Sequence, residues 1–188
     1  VIRALNEPES LGTDATSEIR HAGYSRNEET LLEDRGNRLL ATICGHTNGN
    51  DSRHGLAWLD MAGGRLGCSE PESMEVLGAE LERLRPAELL VPESFDAGLI
   101  QVDGAAIRRR ADWEFDIEAA QRALCKQFGV HDLAGFGIES PGSAVAAAGA
   151  LLGYAREMLA GELPHIGGLR FEQASAHLLL DAATRRHL

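Results

Sequence analysis

Cysteine is scarce in this chain of 188 residues. Cys44, Cys68 and Cys125 are widely separated and odd in number. No Cys-x-x-Cys occurs, so neither a zinc site nor a redox pair is signalled. A reduced intracellular compartment is the expectation. Aromatic residues are only 5%, which leaves Leu, Ala, Val and Ile to fill the core. No apolar run approaches the ~20 residues that span a bilayer. No secretory leader opens the sequence, and Val1 in first place fits an excised fragment. Positive charge is also short, with a formal net charge of −11. Autonomous duplex binding needs cations that displace counterions along the phosphates, and the field of an acidic chain opposes it.

The usual chemical signatures are missing too. There is no Gly-x-Ser-x-Gly, no Walker A loop and no Gly-x-Gly-x-x-Gly opening a helix. The seven histidines, His21, His46, His54, His131, His165, His177 and His187, show no His-x-x-x-His or His-Glu-x-x-His spacing. They are expected in loops, in caps or on the surface. No repeat and no low-complexity tract is present.

What is present is α/β grammar. Residues 1–30 are polar, with Pro8, Gly12 and Gly23, and read as a linker. Leu39 to Cys44 is a short apolar run expected to be a buried strand, followed by a polar turn over 45–54. Gly55 to Asp60 and Arg65 to Ser69 are two further strands, joined through Gly63-Gly64 as a hairpin. Pro71 suits the first turn of a helix that carries Met74, Leu77, Leu81 and Leu84 on one face and ends at Pro86. Glu88 to Val91 is a strand, and helix followed by buried strand is the α/β pattern.

A second helix is expected over 117–127, capped by Asp116 and closed by Gly129. A third, Ala-rich helix is expected over 143–160, about 27 Å long at ~1.5 Å per residue. Leu169 to Gln173 and Ala176 to Leu180 read as extended. A last helix begins at Ala182 behind Asp181 and stops at Leu188, only two turns in, too short to stand alone.

Residues 107–137 hold one of the two tryptophans, three of the five phenylalanines and the run Arg108-Arg109-Arg110. The arginines can touch phosphate, but in an acidic chain salt bridges to Glu114, Asp116 or a neighbouring domain are the better expectation. Trp113 and Phe115 alternate with Asp112, Glu114 and Asp116, which favours core or interface anchors over base stacking. Gly135-Phe136-Gly137 reads as a turn whose Phe136 anchors in the core. Asp60, at a strand end before a Gly-rich turn, has the placement of a metal-holding carboxylate, with Glu114, Asp116 and Asp181 as conceivable partners. The competing expectation is a turn-forming Asp that binds local backbone.

Several strings together resemble one family. Leu31 to Arg35, Asn37 to Ala41, Gly55 to Arg65, Leu81 to Glu93, the 107–137 segment, Ala147 to Ala155, Leu163 to Ile166 and Asp181 to Arg186 are similar, in order, to the connector region of bacterial MutS, the mismatch-recognition family of DNA repair. The resemblance implies an α/β fold: an RNase H-like mixed sheet flanked by helices over 31–165, then the truncated start of a helical core (lever) domain over 166–188. It implies a non-catalytic connector that couples mismatch binding to an ATPase and offers a docking surface for MutL. The partners implied are MutL and the other MutS domains, with mismatched DNA engaged only through the full-length protein.

The parent would be a bacterial cytoplasmic dimer using ATP and Mg. No cofactor or metal is expected in this chain, no membrane contact, and a monomeric state. The docking residues expected are Arg156 and Glu157 on the exposed side of the third helix. The alternative is a metal-dependent RNase H-like nuclease centred on Asp60. Two departures stand out. Residues 6–29 look longer than the family's linker, and His187 stands where Asn is usual. Trp113-Glu114-Phe115 is not the family's mismatch-reading Phe-x-Glu, which belongs to an earlier domain.

Overall fold

The computed structural model describes residues 39–48, 51–100 and 102–172. The linker expected over 1–30, the extended run at 176–180 and the final helix lie outside these residues. Three helices and six strands are described. β1 (Leu39–Asn48), β2 (Asp51–Asp60) and β3 (Arg65–Ser69) form an antiparallel meander. α1 (Met74–Leu84) leads to β4 (Glu88–Pro92), which lies parallel to β1 with Leu40 opposite Glu88. β5 (Ala106–Arg110) extends the sheet in parallel beside β4, with Leu89 opposite Ile107. α2 (Ile117–Phe128) and α3 (Ser143–Leu159) follow, and β6 (Leu169–Glu172) closes the other side in parallel with β3. The strand order is β5-β4-β1-β2-β3-β6. A central meander flanked on both sides by parallel strands is an α/β, RNase H-like arrangement.

Alternation along the strands builds two cores. Leu40, Cys44, Leu59 and Leu90 point to one face, where α3 lies across the meander and α2 packs against α3. Ala41, Ile43, Leu89 and Val91 point to the other face, covered by Leu77 and Leu81 of α1. Successive side chains alternate by the period-2 rule of a strand. The small residues of α3 permit close approach. A Cβ on Gly149 would lie 2.6 Å from the Cα of Ala120 in α2, and one on Gly55 would run into the Ser143 carbonyl.

Three departures from the sequence reading concern the bounds and caps of expected elements. First, the polar stretch 45–54 is mostly strand: β1 continues to Asn48 and β2 starts at Asp51. A hairpin arm held by backbone ladders needs no apolar alternation of its own. Second, the cap of α1 is Ser73, whose Oγ accepts from the Val76 N–H at 3.3 Å, so Pro71 precedes the helix. Third, α3 stops at Leu159, one residue short of the expected 160, with Ala160 as a left-handed cap at φ 50°. Asp116 does cap α2, accepting from Ala119 N–H at 2.8 Å, and Gly129 closes it at φ 65°.

Candidate functional site

The arginine run occupies a strand that the sequence reading did not anticipate. Side chains of β5 alternate, so Arg108 and Arg110 share a face while Arg109 takes the other. Arg108 Nε reaches Glu88 Oε2 at 3.5 Å. Arg110 donates from Nε to Glu114 at 2.8 Å and from one terminal nitrogen to both carboxylate oxygens of Glu157, at 2.9 and 2.8 Å. Its guanidinium also lies over the Tyr154 ring, 5.4 Å from the centroid, near enough for cation–π attraction. Arg109 donates to the carbonyls of Glu93 and Phe95 at 3.0 and 3.1 Å. The three guanidiniums are thus engaged within the chain, as the charge argument expects.

Glu88 is the centre of this rim. It is 5% exposed, and burying a carboxylate is costly unless it is paired and hydrogen-bonded. The Tyr154 hydroxyl donates to it at 2.6 Å. Burial first, then the bond to Glu88, raises the Tyr154 phenol above its ordinary range, so it stays protonated at neutral pH. Tyr154 therefore acts as a donor to Glu88. The rim ties β4, β5 and the 3-10 turn Asp112–Phe115 to the far end of α3.

In that turn the two aromatics separate. Phe115 is buried, as expected of an anchor, but Trp113 is 77% exposed and anchors nothing in the core. With about three residues per turn, positions two apart cannot face the same side. Asp112 accepts from the Ser94 N–H and hydroxyl at 3.0 and 2.9 Å, bonds that hold its carboxyl below the usual range. Phe136 is half-buried against Phe128, with ring centroids 5.2 Å apart.

Asp60 takes the local role. Oδ1 accepts the Gly63 N–H at 2.9 Å, and Oδ2 pairs with Arg65 at 2.7 Å. These two contacts lower its carboxyl below the ordinary value. A guanidinium already occupies the oxygen that a cation would use. Glu114 is committed to Arg110, and Asp116 to the cap of α2. Asp181 lies outside the described residues. Among the described residues no three His, Cys, Asp or Glu side chains are grouped to share a metal ion. The nuclease reading is therefore not favoured.

Buried thiols offer no nucleophile either. Burial, then Asp112, pushes Cys44 up to about 11, and burial, then Glu70 and Glu172, pushes Cys68 up to about 12.

Of the two expected docking residues, Glu157 is exposed and bound to Arg110, with 62% of its side chain accessible. Arg156 points inward and donates to the Gln127 side chain at 2.7 Å. The exposed part of α3 is confined to its last turns, because Ser143 to Leu152 is buried throughout. Sequence reasoning missed Glu88, Tyr154 and Gln127. A lone acid opening the run Leu89-Leu90-Val91 was the one available signal, since a charge at a buried strand demands partners.

No helix among the described residues is long and apolar enough to cross a membrane. The arrangement holds a packed α/β body with a paired polar rim and, among the described residues, no convergent acid, base or nucleophile. A family model, MutS domain II, matches residues 37–167. The chain belongs to the MutS domain II family.

Proposed function

We propose that this chain is the non-catalytic connector of a mismatch-repair MutS protein, transmitting movement between the mismatch-binding and ATPase parts and offering a docking surface for MutL. The observation that carries the reading is the family match over 37–167, on a body whose polar groups are bound to one another rather than open to a substrate. The ATP and Mg chemistry of the parent is assigned to other domains, and mismatched DNA is met through the full-length protein. The parent works as a cytoplasmic dimer, while the fragment is a monomer.

The docking surface is placed at the exposed end of α3, around Glu157, with Arg156 supporting it from behind. The test uses the full-length protein carrying Glu157→Gln or Arg156→Met. ATP- and mismatch-dependent capture of MutL is measured beside mismatch binding and ATP hydrolysis. Loss of capture with the other two activities retained is the expected result. Unchanged capture by both variants removes MutL from this end of the helix.

A further inference from the structure

After α3 the chain turns at 163–166 before entering β6. Leu163 and Ile166 are 0% and 1% exposed. Gln127 of α2 grips this turn. Its Nε2 donates to the carbonyls of Leu163 and Ile166, at 2.9 and 3.1 Å. Its Oε1 accepts from Arg156 at 2.7 Å. A side-chain amide has one donating end and one accepting end. The two carbonyls demand the NH2 group and the guanidinium demands the oxygen, so the three partners select one orientation. Arg156 holds this contact although its own Nε is buried with no partner among the described residues.

Gly167 and Gly168 follow directly. Neither has a positive φ, and a Cβ on either would meet nothing within 4 Å. Sterics do not demand glycine here, so what it adds is backbone freedom. Next comes β6, four residues at the end of the sheet. It lies just past the residues matched to the family model, which end at 167.

We propose that residues 163–172 form a latched joint. Gln127, oriented by Arg156, fixes the turn. Gly167 and Gly168 are the pivot. β6 docks on and lifts off β3 as a strand supplied by the chain's own onward segment. The joint separates a fixed exit point from a short strand held by its ladder with β3 and by Leu169 and Phe171 against the core, at the margin of the family domain.

Hydrogen exchange on the 188-residue chain tests this. Gln127→Glu keeps an acceptor for Arg156 but removes both donations to the turn. Protection of amides in 166–172 should fall about tenfold, the size expected for losing one to two net hydrogen bonds, while α3 amides keep theirs. Arg156→Met should act in the same direction. The double variant Gly167→Ala, Gly168→Ala should raise β6 protection several-fold, because alanine narrows the undocked ensemble. Unchanged protection in both latch variants, or an equal loss throughout α3, overturns the latch. No change or a fall in the double alanine variant overturns the pivot. The readout needs no partner, so it fails or succeeds independently of MutL docking.

Discussion

Gly149 and Gly153 lie four residues apart on α3, and the same substitution at each should have opposite effects. Gly→Ala in a helix interior gains ~1 kcal/mol of intrinsic helix preference. At Gly153 nothing lies within 4 Å of the new methyl group, so the full gain is expected. At Gly149 the methyl carbon would stand 2.6 Å from the Cα of Ala120 and closer still to its Cβ. The obstacle includes backbone of α2 at a residue only 4% exposed, so no flexible side chain can give way. Prising two packed helices apart costs ~1–3 kcal/mol, which offsets or exceeds the gain. The two variants should differ by ~1–3 kcal/mol, with Gly153→Ala above wild type and Gly149→Ala level with it or below. Urea titration followed by circular dichroism measures both. In a chain of this size ~1 kcal/mol moves Tm by ~2–4 °C, so thermal melts resolve the gap. Equal stabilisation at the two sites would refute the close contact of α2 with α3.

Three further outcomes concern the polar groups. Arg110→Ala should destabilise by ~1–3 kcal/mol in denaturant titration, since Glu114 is left part-buried without its partner; Arg110→Lys should recover only part, because an ammonium cannot reproduce the forked contacts. Tyr154→Phe should cost ~1–3 kcal/mol at pH 7 by removing a donor from buried Glu88. The Tyr154 phenol is raised in the folded state, so its contribution is complete below ~10, the unfolded value, and fades as pH climbs through the folded value; stability-versus-pH curves of wild type and Tyr154→Phe should converge only in alkali. Asp60 is shifted the other way. Asp60→Asn should show a small loss at pH 7 that persists above ~4 and closes as pH falls through the lowered folded value, read from acid titrations of both proteins.

Legibility followed the period of the signal. The helix around Leu77 and Leu81, the Asp116 cap and the strands at Leu40 and Leu89 carry local signatures of spacing or capping, and each is where the residues place it. Family strings supplied the sheet arrangement, which no local pattern encodes. β5 was missed because four of its five residues are exposed; an exposed strand at the margin of a sheet has no apolar face to read. The same blindness hid the rim. Glu88 and Tyr154 are 66 positions apart, and only the fold brings them together. Trp113 was expected as a core or interface anchor, and the tight turn that buries Phe115 turns it outward, which removes the core half of that expectation. Gly149 looked like one more small residue in an Ala-rich helix, and the closeness of α2 gives it its role.

Among the described residues β5 is an edge of the sheet. Ala106 N–H and the Arg110 carbonyl both bond towards β4, so the alternation of a parallel ladder turns the backbone groups of Ile107 and Arg109 outwards. Such an edge invites strand-by-strand polymerisation with another molecule. Here it is only five residues long and carries three arginines, while on β6 Arg170 is paired with Glu172. Charged side chains on so short an edge disfavour the addition of a neighbour's strand, so the run that braces the rim from within is also expected to guard the sheet. A variant that kept Arg110 but made Arg108 and Arg109 neutral would leave the rim largely braced and strip the guard, with self-association growing with concentration.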